Sequence, residues 1–285
     1  MYQRYFETEL KAHGYPDDLK IHYSISCCQG DGVAWYGTLN GDDLWRIAQR
    51  LYGSDPKSSA HDRFKMLRYR RELWLLLDWI RSHSDDSVRI SPIGSGHYHH
   101  YNTMEVEGEH DHEEMIERLS DDGRDPEVLE FLERSDFFMK IWDDFMGDLK
   151  EDVKSLSRKL YDDGINILLN TAHATETVWS FETQHYRVVL EEVDDNEIDQ
   201  ALDFYDEECF IDTIKDMITD KIRMVTLRAT LYDKETDDEL AQQYCSNVTI
   251  DKKMSNKRYD GVRQDLVSEI IDEYRSQVGK LKVAA

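Results

Sequence analysis

The longest amphipathic pattern in the sequence constrains the fold more than any other feature. Apolar residues recur at intervals of three and four across residues 128–160, and carboxylates occupy many of the positions between them. This spacing predicts a helix with one face in a core and the other in water. Residues 196–219 repeat the pattern on a smaller scale. The sequence therefore predicts two acidic helical segments, each of which needs a surface to cover its apolar stripe.

Extended segments come in groups on either side of these helices. The first group alternates between two faces and carries a turn at residues 29–32, which predicts a β-hairpin. The extended ranges are 20–26 with 33–39, 88–93 with 97–107, 176–192, and 223–232 with 240–250. Because strands and helices occur in blocks, the pattern predicts an α+β fold of antiparallel hairpins and sheets packed with amphipathic helices.

Four further helices and one boundary complete the predicted organisation. We expect an opening helix over residues 2–11, a helix capped by Asp42 and running to Leu51, a longer helix over residues 59–82, and a closing helix over residues 256–280. A boundary after the long helices divides the chain into two units, 1–170 and 171–285. We expect the second unit to support homo-oligomerisation through its hairpin and helix.

The charge of the chain excludes several classes of partner. Its 285 residues include 35 Lys and Arg against 60 Asp and Glu, a formal net charge of -25. Contacts to phosphates need cationic side chains, which argues against direct binding to nucleic acid and to an anionic membrane surface. No apolar run approaches the length of a membrane span, and the first residues lack an apolar signal region. We therefore expect a cytosolic protein.

Most of the negative charge lies in the two helical segments. Residues 105–152 contain 19 acidic and 5 basic residues, and residues 191–220 contain 13 acidic and 1 basic. One interpretation is a pair of solvated helix faces. The other is a surface that imitates the phosphates of a duplex and docks onto a cationic groove. Its candidate partner-binding residues are Glu130, Glu133, Asp143, Asp144, Asp148, Glu151, Asp206, Glu207 and Glu208.

A histidine-rich segment is the best candidate for metal chemistry. On a strand, His97 and His99 would share one face and could ligate a divalent metal together with a nearby carboxylate. The alternative is half-buried imidazoles on a sheet face. No HExxH, GxSxG or Cys/His signature is present. We predict no catalytic residue, no cofactor and no metal, and keep His97 and His99 as the candidates if the protein is a metal-dependent hydrolase or nuclease.

The turn at residues 29–32 and the cysteines have simpler interpretations. The turn lacks the spacing of a phosphate-binding loop and leads into a strand, so we expect its glycines to permit a tight turn while Asp31 bonds local backbone. The four cysteines, Cys27, Cys28, Cys209 and Cys245, form no CxxC pair. We expect them to be buried, reduced thiols.

Two motifs resemble a known family. Residues 25–37 read ISCCQGDGVAWYG, which resembles the QGDG(A/V)SF hairpin of small proteins encoded by bacteriophages and prophages. Residues 96–104 read GHYHHYNTM and resemble the second element of that family, Gly-x-Tyr-x-His before a short strand with Met. The helix around residues 144–164 resembles its closing helix. The chain departs from the family in having Cys27 and Cys28 before the Gln, Trp35 in place of Ser or Phe, and about a hundred extra residues.

The resemblance implies a bacteriophage origin and supplies no catalytic residues. Phage accessory proteins of this size and acidity often inhibit bacterial defence systems, and the chain is similar in size and character to the anti-Gabija proteins, which bind a defence nuclease complex and block access of DNA. The leading hypothesis is thus a non-enzymatic inhibitor that binds a nuclease- or ATPase-type defence complex in the host bacterial cytoplasm. The alternatives are the metal-dependent enzyme and a virion accessory protein.

Overall fold

The computed structural model describes residues 1–26, 28, 30–52, 73, 77, 81, 88–93, 103–108, 113, 117, 120, 121, 123, 126, 129, 136–171, 174–194, 198–253 and 259–284. In this part of the chain, two antiparallel four-stranded sheets are combined with six helices of six residues or more, so the predicted α+β class is confirmed. In chain order the elements are α1 (Tyr2–Ala12), β1 (Lys20–Ser24), β2 (Gly32–Leu39), α2 (Gly41–Leu51), β3 (Val88–Pro92), β4 (Met104–Glu107), α3 (Asp136–Leu169), β5 (Glu176–Glu182), β6 (Tyr186–Val193), α4 (Ile198–Asp203), α5 (Glu207–Ile218), β7 (Ile222–Asp233), β8 (Glu239–Asp251) and α6 (Asp260–Ala284).

The chain divides into two compact units, Tyr2–Asp162 and Asp163–Ala285, and Met1 groups with the second. The division therefore falls inside α3. The end of that helix belongs to the second unit because Asn170, just beyond it, bonds two elements there. Its side-chain amide donates to the carbonyl of Met217 at 2.8 Å, and its own carbonyl accepts from the Met224 N–H at 3.0 Å.

The first unit contains the sheet in the order β1-β2-β3-β4. The predicted hairpin is confirmed, with Ser24 opposite Gly32 at its closed end. The apolar stripe of α3 is buried, as its spacing predicted. Helix α3 also bonds the sheet directly, because the Ser157 hydroxyl donates to the carbonyl of Val33 at 2.5 Å.

The N-cap of α2 differs from the prediction. Asn40, not Asp42, has the extended backbone of a cap, and its side chain accepts from the N–H groups of Asp42 and Asp43. The Asp43 carboxylate in turn accepts from the Asn40 N–H at 3.0 Å, which completes a capping box. Asp42 therefore lies in the first turn, where its charge favours the helix dipole without capping it.

The second unit contains the sheet in the order β5-β6-β7-β8, with α6 against one face. Alternate residues of the strands, including Leu190, Leu227 and Leu231, meet Leu266 and Ile270 of α6 in a buried core. Between β7 and β8 the register shifts at two places, first between Val225 and Leu227 and again between Leu231 and Tyr232. These irregularities separate two regular stretches, residues 222–225 paired with 248–251 and the longer one, residues 227–231 paired with 241–245.

The single helix predicted over residues 196–219 is wrong, because two helices form there. Helix α4 ends at Asp203, and α5 begins at Glu207 after an N-cap at Asp206. The Asp206 carboxylate accepts from the Cys209 N–H at 2.8 Å, which offers the chain a helix start in place of a continued helix. Both helices bury apolar residues, among them Leu202 in α4 and Phe210 in α5. The spacing of apolar residues therefore continues across the break between the two helices.

Candidate functional site

The turn of the first hairpin is organised around the carboxylate of Asp31. Two backbone N–H groups donate to it, from Ser26 at 2.9 Å and Cys28 at 2.7 Å. Two hydroxyls also donate, from Ser24 at 2.7 Å and from Ser26 at 2.9 Å to the other oxygen. Gly30 supports the turn with a φ of 93°, which a side chain would oppose.

These donors lower the pKa of Asp31 to about 2, with the Cys28 N–H as the largest cause and the Ser24 hydroxyl next. A ring of N–H donors is the arrangement that binds phosphate in other proteins. Here the chain supplies its own anion, so the expectation of a local structural role for Asp31 is confirmed. The described donors of the turn, from Ser24, Ser26 and Cys28, are thus directed at Asp31.

A second charged cluster in the first unit is also structural. Arg50 of α2 donates to both oxygens of Asp152 on α3, at 2.8 and 2.5 Å, and to the carbonyl of His13 at 2.9 Å. The hydroxyl of Tyr15 donates to Asp152 at 2.8 Å. Burial, and then the Asp152 charge, raises the pKa of Tyr15 well above its usual value. This cluster fixes α2, α3 and the segment after α1 to one another.

The predicted partner-binding residues of α3 are exposed but partly engaged. Asp143 and Asp144 lie on the exposed face of the helix. Asp148 accepts a hydrogen bond from the Tyr52 hydroxyl at 2.6 Å, and Glu151 pairs with Lys154 at 3.3 Å. The face is therefore acidic as expected, but Asp148 and Glu151 also have neighbours in the same unit that account for them. Glu130 and Glu133 lie outside the described residues.

The remaining predicted residues lie in one short segment, residues 203–208, which we call the acidic turn. It runs from the last residue of α4 to the first two residues of α5 and contains four carboxylates, those of Asp203, Asp206, Glu207 and Glu208. All four side chains are exposed. Asp206 caps α5, and Glu207 and Glu208 lie in its first turn, where the helix dipole favours negative charge. The dipole of α5 therefore offsets part of the electrostatic repulsion between the carboxylates of the acidic turn.

The acidic turn also contains an exposed aromatic ring, which the spacing of apolar residues did not single out. Phe204 is 89% exposed, the most exposed large apolar side chain in the described part of the chain. Leu202 before it and Phe210 after it are both fully buried. The exposed ring therefore lies in a short segment between two residues that are held in the core of the second unit.

The face of the second sheet opposite α6 offers a polar cleft. Its volume is about 410 Å³, and its lining consists of Thr175, Val193, Asp194, Thr226, Arg228, Tyr244 and Ser246. Arg228 donates from two nitrogens to Glu191, at 3.0 and 2.8 Å, so its guanidinium is largely committed to that carboxylate. Tyr244 is 53% exposed at the rim. The cleft presents hydroxyls and one ion pair.

No group of three potential metal ligands occurs among the residues whose positions the structure gives. The predicted candidates His97 and His99 lie outside those residues, so the metal hypothesis stays a prediction. The cysteine prediction is partly wrong. Cys28 and Cys209 are exposed and Cys245 is half-buried, all three as free thiols, while Cys27 is outside the described residues. Burial, followed by the charges of Glu269 and Asp265, raises the pKa of Cys245, which disfavours its reactive thiolate.

Among the described residues, no helix is both long enough and apolar enough to cross a membrane. Comparison with known proteins adds no relative, since no family model, no curated protein and no solved structure matches the chain.

Proposed function

We propose that this protein is a phage-encoded, non-enzymatic inhibitor that binds a bacterial anti-phage defence complex of the nuclease or ATPase type in the host cytoplasm. Docking of the acidic turn onto a cationic surface of that complex would block access of nucleic acid. The observation that carries the proposal is the exposure of Phe204, 89%, in a six-residue segment that also contains four exposed carboxylates.

The exposed ring is costly for an isolated protein. Burying a Phe side chain contributes about 1.5 to 3 kcal/mol of transfer free energy, and Phe204 gains almost none of it within the described chain. Aromatic residues that enter a pocket of a partner dominate binding energy at protein interfaces, and charged residues around them form the rim. The acidic turn supplies both kinds of residue, one exposed aromatic ring and four exposed carboxylates close to it in the sequence.

The chemistry of the acidic turn supports a cationic partner. Residues 198–218 contain seven acidic side chains and one basic one. A surface of Lys and Arg that normally contacts phosphates complements such a segment, and a guanidinium can also stack on an aromatic ring. The formal net charge of -25 steers the chain toward such a surface over long range. The same charge opposes direct binding to nucleic acid.

The bacteriophage origin and the defence complex are supported by the resemblance of residues 25–37 and 96–104 to the QGDG(A/V)SF family. The acidic turn lies outside the residues that resemble the family. The proposed docking surface is therefore supported only by the sequence and structure of this chain. The metal-dependent enzyme remains the alternative and depends on His97 and His99. Metal analysis of protein purified without chelators, compared with a His97→Ala/His99→Ala double variant, distinguishes it from a binding protein.

The proposal is tested by affinity capture from bacterial lysate with mass-spectrometric identification, followed by a competition assay. The captured complex is loaded with a fluorescent DNA duplex. Displacement of the duplex is then measured for the wild type, for Phe204→Ala and for Phe181→Ala. We expect Phe204→Ala to raise the concentration needed for displacement about thirtyfold, which corresponds to about 2 kcal/mol.

Phe181→Ala is the matched control, because Phe181 is also an exposed phenylalanine, at 54%. It lies on β5, with Ser180 before it and a single carboxylate, that of Glu182, after it. We expect it to displace the duplex as the wild type does. Equal losses for the two variants, or capture of virion proteins in place of a nuclease or ATPase, would count against the proposal.

A further inference from the structure

The outer edge of β8 has the properties of an interface between two copies of this chain. In the described part of the chain β8 pairs with β7 alone, and none of its N–H or C=O groups bonds the backbone of another element. A sheet edge of this kind is a template for another strand, and natural edges are usually protected by Lys, Pro or inward-pointing charge. Residues 240–250, LAQQYCSNVTI, contain no charged residue and no proline.

Two β-bulges limit the usable part of this edge. The register shift between Leu231 and Tyr232 lies at one side, and the shift between Val225 and Leu227 at the other. Close to the second shift, Asn247 has a φ of 61°, which bends the strand. Between the bulges, residues 241–245 form five consecutive regular pairs with β7. It is the longest regular stretch of β8, since residues 248–251 form only four such pairs, and is therefore the part of the edge best suited to accept a further strand.

We propose that two copies of the chain associate through this stretch, with the β8 strands antiparallel across a twofold axis at Gln243. The pairing follows from the limits of the stretch, since an antiparallel match of residues 241–245 with themselves is centred on residue 243. It would join two four-stranded sheets into one continuous sheet.

The side chains are compatible with this symmetric pairing of the two β8 strands. Across the axis Ala241 faces Cys245 of the other copy, and Gln242 faces Tyr244. None of the resulting pairs places like charges opposite each other. Tyr244 is 53% exposed in the single chain, and its hydroxyl already contacts the Gln242 side chain of its own strand. In the pair each tyrosine would gain a second glutamine and lose exposed ring area.

Carboxylates of α6 set the salt dependence of this association. Glu273 accepts from the Gln243 amide at 2.9 Å, close to the proposed axis, and Glu269 acts on Cys245 through its charge. Two copies bring these carboxylates together, in addition to a formal net charge of -25 on each. Screening by salt should therefore strengthen self-association. Docking of the acidic turn onto a cationic partner should weaken under the same change, so the two associations are separable.

The first test is sedimentation of the full-length chain over a range of concentrations at low and at high salt. We expect the mass to rise from 33.7 kDa to twice that value with concentration, at lower concentration when salt is high. A particle that stays at 33.7 kDa under every condition overturns the proposal.

Cysteine cross-linking tests the register. In Gln243→Cys the two new thiols lie opposite each other at the axis, so mild oxidation should give a dimer band on a non-reducing gel. Thr249→Cys is the control on the same strand, because six residues from the axis at about 3.3 Å each separate its two copies by about 40 Å. Both variants keep the native cysteines. Equal cross-linking of the two variants, or cross-linking of Thr249→Cys alone, overturns the proposed register.

Discussion

Arg50 and Asp152 form a doubly hydrogen-bonded ion pair, although 102 positions separate them in the sequence. The pair joins the last turn of α2 to the middle of α3. Asp152 belongs to the acidic segment that the sequence analysis assigned to solvent or to a partner. The structure shows that this carboxylate instead holds two helices of the first unit together.

Removing the Asp152 carboxylate should destabilise the protein. In Asp152→Ala the half-buried guanidinium of Arg50 loses both bonds and the hydroxyl of Tyr15 loses its acceptor. We expect a loss of about 3 kcal/mol in the free energy of unfolding, measured by urea denaturation. Glu151→Ala removes the same charge from an exposed pair with Lys154 and should cost less than about 0.5 kcal/mol. Similar losses in both variants would contradict a specific role for Asp152.

The Asp31 turn should make stability sensitive to acid. The pKa of Asp31 is lowered from 3.8 to about 2 in the folded state, so its ionised form is stabilised by folding. The contribution is complete above pH 3.8 and should be lost as the pH falls toward 2.

We expect Asp31→Asn to lose about 2 kcal/mol at neutral pH, with the difference from the wild type shrinking through that acidic range. Unfolding in urea at a series of pH values measures it. Asp17→Asn, a change at an exposed carboxylate, serves as the control. A difference that stays constant down to pH 2 would show that the carboxylate charge is not what the turn requires.

The two phenylalanines near the acidic turn should respond in opposite ways to truncation. Phe210→Ala empties a fully buried site in the second unit and should cost about 3 to 5 kcal/mol of stability. Phe204→Ala removes an 89% exposed ring and should change stability by less than about 0.5 kcal/mol. Thermal or urea unfolding of the two variants checks this. A large loss in Phe204→Ala would mean that the ring supports the fold, which would remove the argument for docking.

Substitutions at Asp206 and Glu208 should distinguish the capping of α5 from docking onto the partner. Asp206→Ala loses the hydrogen bond to the Cys209 N–H and should cost about 1 kcal/mol of stability as well as partner affinity. Glu208→Gln keeps the cap and should reduce the association rate with the captured complex, with a smaller effect at high salt. Stopped-flow association at two salt concentrations measures it. An association rate that is the same for Glu208→Gln and the wild type at low salt would exclude steering by this carboxylate.

Local pattern was sufficient for the class of fold and for most of its elements. The hairpin at residues 20–39 and the hairpin of β7 and β8 were predicted because alternation and turn residues are properties of neighbouring residues. The same applies to the buried stripe of α3. The helix break at Asp206 was missed, because the apolar period continues across it while the capping side chain decides the backbone. The N-cap of α2 was misplaced by two residues for a related reason, since Asn40 and Asp42 are both good caps in isolation.

The candidate site could be predicted only in part. Asp206, Glu207 and Glu208 were named from their charge alone, and the structure leaves all three exposed in the same short segment as the exposed Phe204. Periodicity could not identify Phe204, because its exposure depends on how Leu202 and Phe210 are buried in the second unit.

The sequence by itself determined the charge of this protein, its α+β class and the amphipathic character of its helices, since all three follow from composition and from spacing along the chain. The tertiary structure alone decided which carboxylates are used internally, which aromatic ring faces water and which strand lies at a sheet edge. These properties depend on contacts between residues far apart in sequence, such as Arg50 with Asp152. Local spacing carries no information about such contacts.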